Sequence, residues 1–239
     1  MINNKKILAV VPARAGSKGL RNKNSMILKG KPLFVYPLEA LKNSKYIDKI
    51  VLSTDSKKIT KISKKFGQFI FFKRSKKISM DSSSTFQVLD HALNFFSKKN
   101  DFYDYIICLE PTSPFTTSQD IDLVIKKVTK NDTYDSAVSI SFLEKYHPNF
   151  IFKVNKKKII NPFEKNQKYN YRRQQISKLY HLDGSLYFAH VNSFYKNKGF
   201  VGNKTYGYIT PKWKSLEIDD LLDFEFAKTI IRNIKKFKN

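Results

Sequence analysis

Short apolar runs alternate with longer helix-forming stretches over roughly the first 140 residues, and this alternation constrains the fold more than any other feature. Residues 7–11 are all apolar, as expected of a strand buried on both faces. The pattern predicts further strands at 49–55, 68–72, 105–109 and 136–140, with helices at 32–43, at 56–65, from Ser84 and from Ser118. Strands that alternate with helices form right-handed βαβ units. The sequence therefore predicts an α/β fold with a mostly parallel sheet flanked by helices.

The alternation stops after Phe142. Residues 149–178 are aromatic and basic, with short alternating pieces and a turn-like segment at 155–157. This pattern predicts a hairpin or arm that stands off the main sheet, a common device for contact between subunits. A strand at 184–189 follows, and a helix from Asp220 presents an apolar face of Leu221, Leu222, Ala227, Ile230, Ile231, Ile234 and Phe237. We expect a single domain over residues 1–239 that carries the arm.

Several classes of protein are disfavoured. No apolar run approaches the roughly 18 residues needed to cross a bilayer, and the N-terminus has no cleavage pattern of a signal peptide. The single cysteine, Cys108, has no partner for an intrachain disulfide, which suits a reducing compartment. We therefore expect a cytoplasmic protein with no membrane partner.

The net charge of +25 raises the question of a nucleic-acid partner. The 39 lysines are spread along the whole chain, however, so no dedicated nucleic-acid surface is predicted. The arginines are more selective, because five of the six fall in predicted loops: Arg14, Arg21, Arg74, Arg172 and Arg173. Arginine presents a planar fork that matches phosphate and carboxylate groups, which lysine cannot reproduce.

A basic, glycine-containing loop at 12–24 follows the first predicted strand. Ligands of open parallel sheets bind at the carboxyl ends of the strands. Gly16 and Gly19 allow backbone amides to approach an anion closely, and the cations are Arg14, Lys18, Arg21 and Lys23. Both GxGxxG and the P-loop pattern are absent, so the loop suits a nucleoside triphosphate better than a dinucleotide. The alternative is a solvated, flexible loop.

Two carboxylates, Glu217 and Asp219, are separated by one residue. In an extended segment both would point to the same side and could hold one divalent ion. Mg²⁺ takes one or two carboxylates together with substrate phosphates and waters. On spacing alone an acidic helix start is equally compatible, with Asp219 and Asp220 capping the last helix.

Two further motifs could contact a substrate. EPTSP at 110–114 follows the strand at 105–109 and offers hydroxyl groups to a sugar, although it also has the composition of an ordinary turn. The pair Arg172 and Arg173, followed by Gln174, could clamp a carboxylate or could belong to a basic surface patch.

Together these elements resemble the CMP-N-acylneuraminate cytidylyltransferase family (CMP-sialic acid synthetases), in the correct order over nearly the whole chain. ARAGSKGLRNKN at 13–24 matches the nucleotide loop of that family and differs from the loop of the CMP-Kdo synthetases, which runs closer to AR-x-x-S-T-R-L-P. The other matches are Ser53 to Asp55, Arg74 with Asp81, EPTSP, Arg173 with Gln174, Asp183-Gly184 with Tyr187, and Glu217-Ile218-Asp219 with Asp223-Phe224.

The resemblance implies a Rossmann-like nucleotide-diphospho-sugar transferase fold, a homodimer joined through an arm at about 142–182, and a Mg²⁺ cofactor held by Glu217 and Asp219. The implied reaction is attack of the anomeric hydroxyl of an acidic nonulosonate on the α-phosphate of CTP. The implied catalytic residues are Arg14, Lys18 and Asp219. The implied nucleotide-binding residues are Arg14, Gly16, Ser17, Lys18, Lys23, Asn24, Arg74 and Thr85. The implied sugar-binding residues are Glu110, Arg173, Gln174 and Tyr187.

Four positions depart from the family pattern: Glu110, Thr116, Phe150 and Glu217. The family often has Gln, Arg, a basic residue and Asp there. Glu110 and Phe150 fall where the sugar is expected, which favours legionaminate, pseudaminate or another nonulosonate over N-acetylneuraminate. The alternatives are a nucleotidyltransferase of the same fold that uses another sugar or sugar phosphate and, more distantly, a basic nucleic-acid-binding protein.

Overall fold

The computed structural model describes residues 2–16, 20, 22–67, 70–74, 78–80, 82–130, 132–143, 146–163 and 176–237. The strands are β1 (Ile7–Pro12), β2 (Ile27–Leu28), β3 (Lys31–Pro32), β4 (Lys49–Thr54), β5 (Ile70–Lys73), β6 (Tyr105–Cys108), β7 (Ser136–Phe142), β8 (Phe152–Val154), β9 (Ile160–Pro162), β10 (Tyr180–His190) and β11 (Thr205–Ile209). The helices are α1 (Val35–Lys42), α2 (Lys57–Ser63), α3 (Thr85–Ser97), α4 (Ser118–Thr129), α5 (Val191–Asn197), α6 (Leu221–Arg232) and α7 (Ile234–Phe237). None of these helices is long and apolar enough to cross a membrane.

Seven strands form the main sheet, in the order β11-β7-β10-β6-β1-β4-β5. Four of its six pairings are parallel, and only β10 runs antiparallel to both of its neighbours, β6 and β7. The predicted α/β class with a mostly parallel sheet is thus confirmed. Two small sheets, β2–β3 and β8–β9, lie outside it.

Strand β1 is the central strand of the core. Its first five side chains are fully buried, and they alternate between two apolar clusters on opposite faces of the sheet. Ile7, Ala9 and Val11 pack in one cluster with residues of α1 and α4. Leu8 and Val10 pack in the other cluster with residues of α3. Burial of each large aliphatic side chain stabilises the fold by about 1.5–3 kcal/mol. A continuous apolar run is therefore required here.

Capping boxes fix the starts of three helices. At α3, Ser84 accepts a hydrogen bond from the backbone of Gln87, and the Gln87 side chain accepts one from the backbone of Ser84, which confirms the predicted box. The same arrangement, with Asp as the third helical residue, begins α4 at Thr117 and α6 at Asp220. Each such cap contributes about 1 kcal/mol.

The topology places several loops at one edge of the sheet. Because β1, β4, β5 and β6 are parallel, the segments that follow them emerge at the same carboxyl edge. Strand β10 enters from that edge, since Tyr187 is registered with Cys108 and the chain runs the opposite way. Its register with β7 shifts between Leu182 and Tyr187, which marks a bulge or another irregularity in that part of the strand.

Sequence reasoning missed α5, β11 and the β2–β3 ribbon. The strand predicted at 184–189 is longer in the structure, where β10 extends from Tyr180 to His190. The predicted apolar face of the last helix is only partly correct. Phe224 and Ala227 are buried, whereas Leu221 and Leu222 are more than 60% exposed.

The predicted arm leaves the sheet at Phe142 and returns at Tyr180, two residues that pair with each other. Its described part contains the hairpin β8–β9, and residues 164–175 lie outside the described residues. The apolar side chains exposed on this hairpin and its flanks are Phe150, Ile151, Val154, Ile159, Ile160 and Phe163. The role of the arm in joining two subunits stays a prediction.

Candidate active site

A cavity of about 520 Å³ opens at the carboxyl edge of the main sheet. Its size falls within the range of about 300–1,000 Å³ that is usual for small-molecule sites. Eight of the predicted site residues line it: Arg14, Lys23, Asn24, Arg74, Thr85, Glu110, Glu217 and Asp219. Cations and carboxylates from segments far apart in the chain therefore meet in one place.

The loop after β1 supplies Arg14, Lys23 and Asn24. Asn24 is buried, and its side-chain amide donates a hydrogen bond to the backbone oxygen of Arg14 at 2.9 Å. The backbone N–H of Ala15 donates to Asp55 Oδ1 at 2.8 Å. These contacts hold the two ends of the loop, and the predicted residues Ser17 and Lys18 lie outside the described residues.

Of the two glycines in this loop, Gly16 lies within the described residues and Gly19 lies outside them. A Cβ built at Gly16 would meet no described atom within 4 Å. Steric closeness to the rest of the described chain therefore does not explain the glycine, and its predicted role at a bound anion stays a prediction.

Arg74 follows β5 and is only 6% exposed. Its Nε donates to Ser53 Oγ at 2.9 Å, and its Nη2 is buried without a hydrogen-bond partner among the described residues. Burial lowers the pKa of the guanidinium, while the nearby carboxylates of Glu110 and Asp55 oppose that shift. A buried cation with an unused donor at a cavity wall is suited to an anionic or carbonyl ligand.

The acidic segment before α6 alternates in the predicted way. Glu217 and Asp219 both line the cavity, and Ile218 between them points away into an apolar cluster, with no exposed surface. The backbone N–H of Ile218 donates to the oxygen of Thr112 at 2.9 Å, which fixes the segment against the 110–114 motif. Thr112 also donates to Glu217 Oε1 at 3.4 Å.

The helix-cap alternative, which named Asp219 and Asp220, is correct for Asp220. Asp220 caps α6, and Asp219 uses its carboxylate to accept a hydrogen bond from Lys23 Nζ at 2.8 Å. Two acids that looked equivalent in the sequence thus have separate roles, one at the helix start and one at the cavity.

The carboxylates around the cavity repel each other. Burial and the neighbouring charge of Asp219 raise the pKa of Glu217. Burial and the charge of Glu217 raise the pKa of Glu110 to about 7, against the lowering effect of Arg74 and Lys23. Such a site gains from a cation placed between the acids.

The residues present fit a Mg²⁺ ion. Glu217 and Asp219 both line the cavity and offer hard oxygen ligands, and the charge of Asp219 adds to burial in raising the pKa of Glu217. No cluster of three or more His, Cys, Asp or Glu occurs in the part of the chain that the structure describes. The remaining ligands would therefore come from phosphates and waters, as Mg²⁺ commonly requires.

Gly184 was not among the predicted site residues, yet it forms the wall behind Glu217. It has φ +73°, and a Cβ there would lie 3.0 Å from Glu217 Oε2. Its neighbour Asp183 is buried and accepts hydrogen bonds from the hydroxyls of Ser139 and Ser141. The Asp183-Gly184 pair in the sequence is the signal that could have indicated this bend.

The predicted sugar-binding residues are only partly described. Glu110 lines the cavity, whereas Arg173 and Gln174 lie outside the described residues. The ring of Tyr187 packs against Phe200 with centroids 5.3 Å apart. Burial and the charges of Glu110 and Glu217 raise the pKa of the Tyr187 phenol. Its contact with a sugar stays a prediction.

A family-wide sequence profile described as Cytidylyltransferase matches residues 8–235. The chain belongs to the cytidylyltransferase family. Members of this family are nucleotidyltransferases, and the match spans every segment that lines the cavity.

Relatives of this chain include proteins named for three sialic-acid-like sugars. The chain is 34% identical over 226 residues to the N-acylneuraminate cytidylyltransferase of Escherichia coli O18:K1:H7. This match covers 94% of this chain and 52% of that protein. The chain thus spans about half the length of that relative. It is 31% identical to the CMP-N,N'-diacetyllegionaminic acid synthase of Legionella pneumophila, over 95% of this chain and 96% of that protein. It is 29% identical to the pseudaminic acid cytidylyltransferase of Campylobacter jejuni, over 95% of this chain and 97% of that protein.

Solved structures agree on the fold. CMP:2-keto-3-deoxy-manno-octonic acid synthetase complexed with CTP superposes with a TM-score of 0.66 at 15% identity, over 96% of this chain and 99% of that one. The 4-diphosphocytidyl-2C-methyl-D-erythritol synthase of Anaerococcus prevotii gives a TM-score of 0.61 at 14% identity, over 97% of this chain and 98% of that one. The predicted nucleotide-sugar transferase fold is confirmed.

Proposed function

We propose that this chain is a Mg²⁺-dependent cytidylyltransferase that transfers CMP from CTP to the anomeric hydroxyl of a sialic-acid-like nonulosonate and releases pyrophosphate. The acceptor class is N-acylneuraminate, legionaminate or pseudaminate, the three sugars for which its relatives are named.

The observation that carries the proposal is the arrangement of charge around the cavity. Arg14, Lys23 and Arg74 face the same space as Glu217 and Asp219. A metal–triphosphate complex presents both signs of charge, so it needs cations for its phosphate oxygens and carboxylates for its metal. A purely anionic ligand would not need the two acids.

The chain's own residues would act mainly by position and charge. Arg14, Lys23 and Arg74 would neutralise the phosphates and stabilise the negative charge that develops on the departing pyrophosphate. Glu217 and Asp219 would hold the ion, and bound Mg²⁺ would polarise the phosphate oxygens. Fixing acceptor and nucleotide in line replaces a costly encounter with a reaction between bound groups.

The acceptor would approach from the side of Glu110 and the arm. Glu110 stands at the cavity wall as a carboxyl group, where related sequences often have an amide. Arg173 is predicted to pair with the carboxylate of the sugar, because a bidentate arginine contact selects an acidic acceptor over a neutral one.

We also propose that the chain works as a homodimer joined through the arm. The supporting observation is the set of six exposed apolar side chains on and beside the β8–β9 hairpin, which a second copy would cover.

The decisive experiment measures pyrophosphate release with CTP, ATP, GTP and UTP against N-acetylneuraminate, legionaminate, pseudaminate and 2-keto-3-deoxy-octonate. We expect CTP with at least one nonulosonate to be turned over, and turnover to stop when EDTA removes the metal. Turnover only with a sugar phosphate would support the alternative enzyme of the same fold. Salt-dependent polynucleotide binding without any pyrophosphate release would support the nucleic-acid alternative.

A further inference from the structure

Ser53 is a buried hydroxyl residue at the penultimate position of β4. It has no exposed surface, and its Oγ accepts the 2.9 Å hydrogen bond from Arg74 Nε. Its backbone oxygen accepts a hydrogen bond from the N–H of Ala13 at 2.8 Å, at the start of the loop after β1. One residue thus contacts both cationic segments of the cavity.

The hydrogen bond from Nε to Ser53 Oγ restricts the orientation of the Arg74 side chain. Its backbone N–H is fixed to the oxygen of Thr54 at 3.1 Å, but a long side chain keeps several torsions free beyond that point. The hydrogen bond at Nε fixes the plane of the guanidinium, because the five N–H donors form a rigid fork. With Nε occupied, Nη2 is left buried at the cavity without a partner among the described residues.

We propose that Ser53 is a positioning residue that orients Arg74 so that its terminal nitrogens face the bound nucleotide. An arginine held in advance loses less side-chain entropy when the ligand arrives. Ser53 does not line the cavity, and its hydroxyl acts through Arg74. The inference rests on the proposed function, because it takes the ligand at Arg74 to be CTP.

The test compares Ser53→Thr with Ser53→Val. These two side chains have nearly the same shape and add the same bulk at a buried strand position, so they differ in the hydroxyl alone. CTP binding is measured by calorimetry with Mg²⁺ and without an acceptor sugar. We expect the threonine variant to bind CTP at least about 10-fold more tightly than the valine variant, the scale of a lost hydrogen bond to a charged group.

The same pair in an Arg74→Lys background distinguishes positioning from packing. Lysine has no Nε, so the difference between threonine and valine should shrink to less than about twofold there. An undiminished difference in that background, or no difference in the native one, would overturn the inference. In steady-state kinetics we expect the valine variant to raise the KM for CTP more than it lowers kcat.

Ser63→Ala provides the structural control. Ser63 is equally buried, on α2, and its hydroxyl donates to the backbone oxygen of Thr60 at 2.9 Å, away from the cavity. It should lower the melting temperature without changing the affinity for CTP. A failure of the proposed function would appear separately, as CTP binding by the wild-type chain with no pyrophosphate release for any nonulosonate.

Discussion

Lys23 Nζ lies 2.8 Å from Asp219 Oδ1, so a cation of the loop after β1 is paired with a carboxylate of the segment before α6. Asp219 is 69% exposed, and an ion pair of this kind contributes at most about 1 kcal/mol. The pair can therefore exchange partners at little cost. Under the proposed function, Lys23 would gain a phosphate and Asp219 would gain the ion when metal and triphosphate bind together.

Replacing Asp219 with Asn should abolish most activity and leave the fold intact. We expect kcat/KM to fall by about 100-fold or more, because the substitution removes a carboxylate that is proposed to hold the metal. Asp220→Asn is the matched control, since asparagine caps a helix as well as aspartate does. It should keep near-normal turnover, and equal losses in the two variants would contradict the division of roles between these neighbours.

Arg14→Ala should weaken CTP binding or turnover by about 100-fold, since it removes charge from the departing pyrophosphate. The control is Arg232→Ala, an exposed arginine near the end of α6 that does not line the cavity. If both variants have the same CTP affinity and turnover as the wild type, the loop after β1 does not hold the triphosphate.

Glu110 makes the stability of the protein depend on pH. Because its pKa is raised from 4.5 to about 7, the folded state holds a proton that the unfolded chain has already released in that interval. The contribution to the free energy of unfolding is therefore full below pH 4.5 and is lost as the pH rises through 7, by up to about 3 kcal/mol.

Glu110→Gln removes this dependence. Urea unfolding of both proteins at pH 5, 6, 7 and 8 should show the variant gaining stability relative to wild type as the pH rises. A difference that stays constant across this range would show that Glu110 titrates normally in the folded protein.

Gly184→Ala should destabilise the protein and disturb Glu217. The residue has φ +73°, which costs an L-amino acid about 1–2 kcal/mol, and its new Cβ would press on the carboxylate at 3.0 Å. Gly30→Ala isolates the second effect, because Gly30 has φ +81° but no atom within 4 Å of a Cβ. Only the Gly184 variant should need a higher Mg²⁺ concentration for half-maximal activity.

Charge on the β8–β9 hairpin should prevent assembly if the arm joins two copies. Val154 and Ile160 are both more than 60% exposed, and they form a registered pair. Replacing both with Glu should convert a sedimenting dimer into a monomer, because the unpaired carboxylates would be buried in the interface. Phe102→Glu, at an equally exposed site outside the arm, is the control. A wild-type protein that is monomeric and fully active would remove the arm from the mechanism.

The sequence predicted those parts of the fold that local chemistry dictates. The buried strand β1 follows from a run of apolar residues, and the start of α3 follows from Ser84 and Gln87. Eight of the predicted site residues line one cavity, since parallel strands deliver their following loops to a single edge.

The features that the sequence did not predict depend on contacts between distant parts of the chain. Nothing local indicates that β10 runs against its neighbours or that Ser53 holds Arg74. The exposure of Leu221 and Leu222 has the same origin, because helical periodicity gives the apolar residues but not which of them the sheet covers. Asp219 and Asp220 could be distinguished only once the helix start was known.

The pairing of Phe142 with Tyr180 at the base of the arm closes the excursion between them into a loop whose ends are fixed. The sheet register is therefore independent of what lies between these two residues, and the entropic cost of lengthening such a loop grows only slowly. Mutation can consequently insert, delete or exchange residues of the arm while the first 140 residues keep the nucleotide loop unchanged. Under the proposed function, in which the arm contacts the acceptor and the partner subunit, the choice of both could evolve separately from the handling of the nucleotide.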